Sequence, residues 1–254
     1  LPPGSHRALC RGPRRSAFYV PPVAPVPQGV TFALAAVGLS VVLGLMAATL
    51  LQPEGRRVSS QGRQDEEEGA AGAWVRSVWV GLQRLLDPIL MLPLGTSAVT
   101  LGLGYIVALD QPPLNLRTSP LLVVLAHTLV ALPFVVRSVL PALRSIQPQL
   151  REAAAVMGAS PWRVWREVDL PIVARAVLVG AVFAFTVSMG EFGATSLIAR
   201  PERPTMPVAI FRFLGRPGTV NYGQALAMST LLMIVCTVGF LVSERFRVWG
   251  EGGY

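Results

Sequence analysis

Long stretches without any charged residue limit what this 254-residue chain can fold into. One runs from Ser16 to Pro53 and another from Pro88 to Leu109, and further apolar runs follow. A helix needs about 20 apolar residues to cross a bilayer, and a soluble core of this size needs no such stretches. Since the backbone within a bilayer must bond to itself, the runs predict membrane-spanning helices. The predicted fold class is therefore an all-α integral membrane protein.

Five membrane spans are predicted from these runs. Charged residues make up 14% of the chain, about half of the ~25% found in soluble domains. Residues 1–29, rich in Pro and Arg, are predicted to form an irregular tail, and 248–254 a short C-terminal tail. The chain begins with Leu1 rather than Met, so we expect a fragment or part of a longer chain. The predicted spans cover about 30–51, 88–109, 119–138, 172–190 and 223–243.

The charged residues exclude several classes of function. All 22 basic residues are Arg, and a Walker A loop needs a Lys to reach the phosphates of ATP. The arginines are interspersed with acidic residues in the segments between the apolar runs, which is typical of charges that flank membrane spans. No nucleic-acid recognition motif accompanies them, so a nucleic-acid-binding protein is not indicated. Cys10 and Cys236 form no CxxC pair, and the acidic run 65–68 is expected to lie in a solvated loop. We predict no catalytic residue, no metal site, no cofactor and no nucleic-acid partner.

A polar segment, residues 141–171, interrupts the apolar runs, and from 152 to 171 it reads EAAAVMGASPWRVWREVDLP. Its alanines predict a helix face that another protein can approach closely, with Glu152 as a single charge. Gly158 is predicted to end this helix, because Gly reaches positive φ without steric cost. Alternatively, Gly158 lets another surface come near. Ser160 is predicted to cap a second short helix that begins at Pro161.

This segment resembles the EAA loop in the permease subunits of bacterial ABC importers. The family pattern is Glu-Ala-Ala, three residues, Gly, and then Leu-Pro about a dozen residues further on. An ordinary Ala-rich helix-turn-helix does not account for that spacing between two predicted spans. The resemblance implies a type I ABC importer permease fold over 30–247, in the bacterial cytoplasmic (inner) membrane. It assigns ATPase coupling to Glu152, Ala153, Ala154, Gly158, Leu170 and Pro171.

The resemblance also implies a set of partners. A cytosolic ABC ATPase dimer docks on the EAA loop, and an extracytoplasmic solute-binding protein delivers the solute. A second permease unit, as a homodimer or as the other half of a fused chain, completes the path across the lipid bilayer. The chain is then a transporter subunit and not an enzyme. Residues 52–86 are expected on the cytoplasmic side and 200–222 outside.

The sequence indicates the identity of the solute less clearly than it indicates the class of transporter. The sequence Glu191-Phe192-Gly193 matches an element that recurs in permeases for ferric iron, thiamine, molybdate and sulfate. The segment 205–229 looks closest to ferric iron and thiamine permeases. The resemblance therefore favours ferric iron or thiamine, with molybdate or sulfate as the alternative.

Two ionisable residues are candidates for the translocation path or its gate. Glu191, grouped with Phe192 and Gly193, either lines the path or is a helix-end carboxylate that bonds exposed backbone amides. The two interpretations are equally favoured. His127 lies inside the third predicted span, where an ionisable residue is a functional candidate by default. A neutral His bonded to a neighbouring helix is the preferred interpretation, since no second ionisable residue accompanies it.

Two other classes of membrane protein fit the sequence less well. An ion-coupled secondary transporter usually shows internal repeats and carboxylates deep within its spans. Neither feature is evident in the five predicted spans. A membrane scaffold without transport activity would leave the spacing from Glu152 to Pro171 unexplained. Stable co-purification with an ATPase would separate the three classes.

Overall fold

A computed structural model describes residues 25–51, 70–109 and 119–251. The predictions for the tail before residue 25, for the acidic run 65–68 and for the last three residues fall outside the described ranges. Helices joined by short turns and loops make up the described part. Its helices are α1 (Pro25–Leu50), α2 (Ala70–Gly95), α3 (Ala98–Leu109), α4 (Leu121–Ser145), α5 (Pro148–Val156), α6 (Pro161–Val164), α7 (Leu170–Gly190), α8 (Gly193–Ile198), α9 (Met206–Leu214) and α10 (Thr219–Glu251).

Four helical stretches in the described ranges are long and apolar enough to cross a membrane. A fifth crossing is possible if Leu85–Gly95 and Ala98–Leu109, which meet at an angle of 106°, count as one span. The predicted all-α membrane fold is therefore confirmed. The four stretches are Pro25–Leu50, Leu121–Ser145, Pro161–Gly190 and Thr219–Val242.

The second predicted span, 88–109, is a bent pair of helices and not a straight rod. The break falls at Thr96 and Ser97, between α2 and α3. Pro93 near the end of α2 lacks a backbone N–H, and Gly95 is a weak helix former. Hydropathy does not register either feature, because both residues are uncharged. α2 also begins at Ala70, well before the predicted start of the span.

The ends of the first and last spans also differ from the predicted ones. α1 begins at Pro25, inside the predicted tail. Pro is compatible with the first turn of a helix, because the amides there have no intrahelical partner. α10 continues past the apolar window that ends at Val242 and reaches Glu251. At 1.5 Å per residue it is about 50 Å long, longer than the hydrocarbon core of ~30 Å.

α4 is the central helix of the molecule. Of its apolar window 56% is buried, against at most 22% in the other three long stretches. α1 and α7 pack against it through glycines. A Cβ at Gly44 would lie 2.6 Å from Val135 Cγ1, and one at Gly180 would lie 3.1 Å from Val135 Cα. Small residues at these positions let the helix backbones come close.

The two ends of the helix bundle carry different structures. At one end, which we call the α5 end, Leu51 after α1 and Ile146 after α4 belong to one buried cluster. At the other, the α8 end, Met206 of α9 packs with Ala33 of α1 and Met189 of α7. The end of α1 and the start of the EAA segment therefore lie at the same end of the bundle. Loop 199–205 lies at the opposite end; the sides of the membrane on which the loops lie stay a prediction.

Candidate functional site

The first part of the EAA segment is a short helix with a sharply defined C-terminus. α5 ends at Val156, and Gly158 follows with φ +81°. The Gly158 N–H donates to the Ala155 carbonyl at 2.9 Å, and the Ala159 N–H donates to the Ala154 carbonyl at 3.0 Å. These two bonds form a Schellman motif, in which the residue after the cap takes a left-handed conformation. Gly158 is therefore required for its backbone angle.

A second helical turn begins directly after this motif. Ser160 precedes α6, and its Oγ accepts a bond from the Arg163 N–H at 3.4 Å, with Pro161 as the first helical residue. The local structure predicted for Ser160 and Pro161 is present. The rings of Trp162 and Trp165 stack with centroids 5.0 Å apart. The stack gives the turn a rigid aromatic face.

The tip of this helix-turn-helix exposes apolar side chains to solvent. Val156 is 89% exposed, Met157 81% and Trp162 66%. We call these three residues the tip patch. Ala154 is buried and Glu152 is half-buried, so the other side of α5 faces the protein. Large apolar side chains that are this exposed within a polar segment are consistent with a surface that contacts another protein.

An ion pair connects α5 to the start of the following span. Arg151 Nε lies 2.8 Å from Asp169 Oδ1, with the two side chains 20% and 11% exposed. This partial burial weakens solvent screening, so the pair is stronger than one at the surface. By contrast, the Arg163–Glu167 pair is exposed and contributes little. The Arg151–Asp169 bond therefore links α5 to the residue that directly precedes α7.

A π-helical turn, Trp165–Asp169, joins α6 to α7 without a break. The Leu170 N–H donates to the Trp165 carbonyl, five residues back. Pro171 has no N–H, and its ring would clash with the carbonyl four residues earlier in a regular helix. The wider turn accommodates this proline, so the helix is continuous from Pro161 to Gly190.

The predicted coupling residues thus fall into two groups. Those of the Glu-Ala-Ala-Gly part lie on α5 and in its terminal turn, whereas Leu170 and Pro171 begin α7. The link between the groups runs through Arg151 and Asp169, which the sequence argument did not single out. The available signal was that opposite charges stand directly before each half of the motif.

Glu191 closes the break between α7 and α8. Its carboxylate accepts bonds from the Ala194 N–H at 2.9 Å and the Thr195 N–H at 3.1 Å. The side chain is 6% exposed. Of the two interpretations, this geometry favours the helix-end carboxylate in the conformation observed. Phe192 lies in the break, and Gly193 is the first residue of α8.

His127 is also enclosed. Its Nδ1 lies 2.6 Å from Ser188 Oγ, across the contact between α4 and α7. The side chain is 1% exposed, and its Nε2 has no hydrogen-bond partner within the described ranges. Ser188 also accepts the Glu191 N–H through its carbonyl at 3.3 Å. The structure thus brings His127 and Glu191 into one buried polar region at the α8 end.

Glycines hold the two helix breaks against each other at this end. A Cβ on Gly193, beside the α7–α8 break, would lie 2.7 Å from Ala98 Cβ. One on Gly102 of α3 would lie 2.8 Å from Ala194 Cα. The backbones of α3 and α8 therefore pack in direct contact. No group of three or more His, Cys, Asp or Glu able to hold a metal occurs among the described residues.

Comparisons with known proteins agree with this architecture. Residues 71–247 match the model of a family described as binding-protein-dependent transport system inner membrane component. A relative from Salmonella choleraesuis (strain SC-B67), PhnV, is named as a permease protein for 2-aminoethylphosphonate transport. It is 32% identical over 183 residues, which is 70% of this chain and 68% of that protein. ModB of Haemophilus influenzae, named for molybdenum transport, is 38% identical over 125 residues, 48% of this chain and 53% of ModB.

A solved structure supports the fold. The MetNI methionine ABC transporter in an inward-facing conformation matches with a TM-score of 0.63 at 19% identity, covering 89% of this chain and 94% of that one. The matches to curated relatives cover about half to two thirds of the relatives' lengths. These relatives are named for phosphonate, sulfate and molybdenum transport. Their names do not support the expectation of ferric iron or thiamine.

Glu191→Ala should destabilise the protein, because it leaves two buried N–H groups without an acceptor. Each such group costs about 1–3 kcal/mol, so thermal unfolding in detergent should occur several degrees lower. Glu202→Ala, which removes an exposed carboxylate in the loop after α8, is the matched control and should leave the midpoint unchanged. Equal midpoints for both variants would show that Glu191 does not hold the break.

Proposed function

Because the chain belongs to the family of binding-protein-dependent transport system inner membrane components, we propose that it forms the transmembrane path of a type I ABC importer. In this proposal a separate cytosolic ATPase dimer docks on the EAA loop, and ATP-driven closure of that dimer moves the spans. The path then opens alternately to the two sides. An extracytoplasmic solute-binding protein delivers the solute to the α8 end.

The observation that carries this proposal is the tip patch and its rigid support. Val156, Met157 and Trp162 protrude into solvent, while the Schellman motif at Gly158 and the tryptophan stack fix their backbone. A docking element must be apolar and pre-organised, because an ordered surface loses less entropy on binding. The tip patch has both properties.

The proposed transmission runs from α5 into the bundle. The Arg151–Asp169 bond passes a displacement of α5 to the π-helical turn, which is continuous with α7. α7 packs closely on α4 at Gly180, where the space for a side chain is closed by Val135 and Ser138. Tightly packed helices move as bodies and not by bending. A movement of the tip patch would therefore shift α7 together with α4.

A second permease unit fits the outer surface of the bundle. The most apolar part of Pro161–Gly190, which includes α7, is only 17% buried, and that of Thr219–Val242 in α10 is only 11% buried. Lipid and a second unit, either a second copy or the other half of a fused chain, would share this surface. The path would lie between the two permease units. Each unit would present its EAA loop to one subunit of the ATPase dimer.

For the solute we propose a small oxyanion. The support is that relatives similar to this chain are named for 2-aminoethylphosphonate, sulfate and molybdenum transport. This proposal replaces ferric iron and thiamine and retains the sulfate and molybdate alternatives from the sequence.

An ion-coupled secondary transporter would need no ATPase. Co-purification of an ATPase from the native membrane tests that distinction, and its failure would favour the secondary transporter.

Gly158→Val should abolish coupled transport while leaving the spans folded. A non-Gly residue at this left-handed angle costs about 1–2 kcal/mol, and a β-branched one is a worse fit. Gly158→Asn should retain most uptake, since Asn tolerates the angle. The measurements are solute uptake and ATPase stimulation by the loaded binding protein, both in proteoliposomes.

The control for this series is Gly104→Val, since a Cβ at Gly104 of α3 has no atom within 4 Å, as at Gly158. The control should transport normally. Loss of coupling in both Gly158→Asn and Gly158→Val would show that the glycine serves close approach of the ATPase instead of the turn. Normal coupled uptake by Gly158→Val would remove the main support for the coupling role.

Exchanging the charges of Arg151 and Asp169 tests the transmission. Arg151→Asp and Asp169→Arg each place two like charges at one contact, so each variant should lower coupled uptake about tenfold or more. The double variant restores an opposite pair and should recover a large part of the uptake. Double-mutant analysis of uptake and ATPase stimulation measures the coupling energy between the positions.

The matched control exchanges Arg163 and Glu167, which form an exposed pair on the same segment. These variants should change uptake little, because exposed pairs contribute ~0–1 kcal/mol. If the Arg151→Asp/Asp169→Arg variant transports no better than either single variant, the pair does not transmit movement.

A further inference from the structure

A cavity of about 310 Å³ lies at the α8 end, away from the EAA segment. It is formed where the start of α4, the end of α8 and the loop after α8 meet α1. This volume is at the lower limit of the ~300–1,000 Å³ typical of small-molecule sites. Its lining residues are Phe32, Ser119, Pro120, Val123, Ile198, Arg200, Glu202 and Arg203.

The cavity combines an apolar wall with charged groups of both signs. Phe32, Val123 and Ile198 provide the apolar wall, and Val123 and Ile198 are buried. The charges of Arg200, Glu202 and Arg203 stand at the solvent-exposed side. None of these three side chains forms a hydrogen bond or an ion pair with another residue that the structure describes.

The loop that carries these charges is held in place by its neighbours. The Arg203 N–H donates to the Arg200 carbonyl at 3.2 Å, which closes a turn. Arg212 Nη1 of α9 donates to the Pro201 carbonyl at 3.1 Å. Burial lowers the pKa of the Arg212 guanidinium, nearby Arg216 lowers it further, and Glu202 raises it. The charged side chains are therefore presented from an anchored turn.

We propose that this cavity binds a small zwitterion, an oxyanion that carries an ammonium group two carbons away, before the solute enters the path. This inference rests on the proposed function, since it names the solute class for the same transporter. The planar guanidinium groups of Arg200 and Arg203 match a phosphonate oxyanion. The carboxylate of Glu202 accepts the ammonium group, and the apolar wall faces the methylenes.

The mixture of charges selects among the oxyanions proposed above. Sulfate and molybdate have no cationic group to pair with Glu202, so its repulsion offsets part of their attraction to Arg200 and Arg203. An aminoalkylphosphonate satisfies all three charges of the cavity. The same chemistry occurs in the headgroup of phosphatidylethanolamine, so the ligand has two possible sources, a free solute or a lipid. The probes and the lipid composition of the assay separate them.

The test is direct binding of 2-aminoethylphosphonate to the purified full chain in phosphatidylglycerol nanodiscs, without binding protein or ATPase. Saturable binding is expected, at least tenfold tighter than that of ethylphosphonate, which lacks the ammonium group. Arg200→Gln/Arg203→Gln should weaken binding of both probes about tenfold or more. Glu202→Gln should weaken 2-aminoethylphosphonate alone and abolish the preference between the probes.

Arg216→Gln, which removes an exposed arginine outside the cavity lining, is the matched control and should bind as the parent does. Equal affinity for the two probes, or equal weakening by Arg216→Gln and by Arg200→Gln/Arg203→Gln, would overturn the proposal. So would the absence of saturable binding, provided that each variant elutes as a monodisperse peak in size-exclusion chromatography.

Nanodiscs that contain phosphatidylethanolamine identify the source of the ligand. If the free solute is the ligand, its affinity is the same in both lipids. If the headgroup is the ligand, phosphatidylethanolamine competes with the probe and co-purifies with the parent more than with Arg200→Gln/Arg203→Gln. Failure of binding, with coupling by the Arg151–Asp169 pair intact, would refute the cavity and leave the permease role standing.

Discussion

A helix that breaks inside a bilayer leaves backbone amides without water, and the protein must satisfy them itself. This requirement explains most of the α8 end. Glu191 accepts the Ala194 and Thr195 N–H groups, and the Thr195 hydroxyl donates to the Glu191 carbonyl at 2.9 Å. Gly193 lets the break between α2 and α3 rest directly on α8. With both breaks closed, α8 has a fixed position, and the loop after it forms one side of the cavity at the α8 end.

At the α5 end, α5 and the turn after it are largely exposed, so water can satisfy backbone groups that lack a partner. The requirement there is instead that the short helix α5 stay in place relative to the bundle. A short helix joined to the bundle only by a flexible turn would move independently of it. Here the Schellman motif at Gly158 fixes the turn, and the Arg151–Asp169 bond ties α5 to α7. The π-helical turn keeps α7 continuous despite Pro171. These three features connect the EAA segment to α7 without a flexible joint, as the proposed lever between an ATPase and a membrane path requires.

Local features were predictable from the sequence, whereas contacts between distant residues were not. Gly158 and Ser160 act within a few residues, so composition and spacing predicted their roles. The Arg151–Asp169 pair joins residues 18 positions apart, and several other arginines nearby offered equally plausible partners. The bend after Gly95 escaped prediction because hydropathy records apolarity and not direction. The two interpretations of Glu191 differ only in backbone geometry, so no sequence pattern could separate them.

The central claim is that the tip patch contacts the ATPase, and site-specific cross-linking tests it most directly. In a chain without Cys10 and Cys236, Met157→Cys should form a disulfide with single cysteines placed on the ATPase surface proposed to dock on the EAA loop. The link should retain the ATPase through denaturing electrophoresis. Phe211→Cys, also at an exposed position (62%, against 81% for Met157) but on α9 at the opposite end, should form none. Cross-linking from position 211 and none from position 157 would contradict the account.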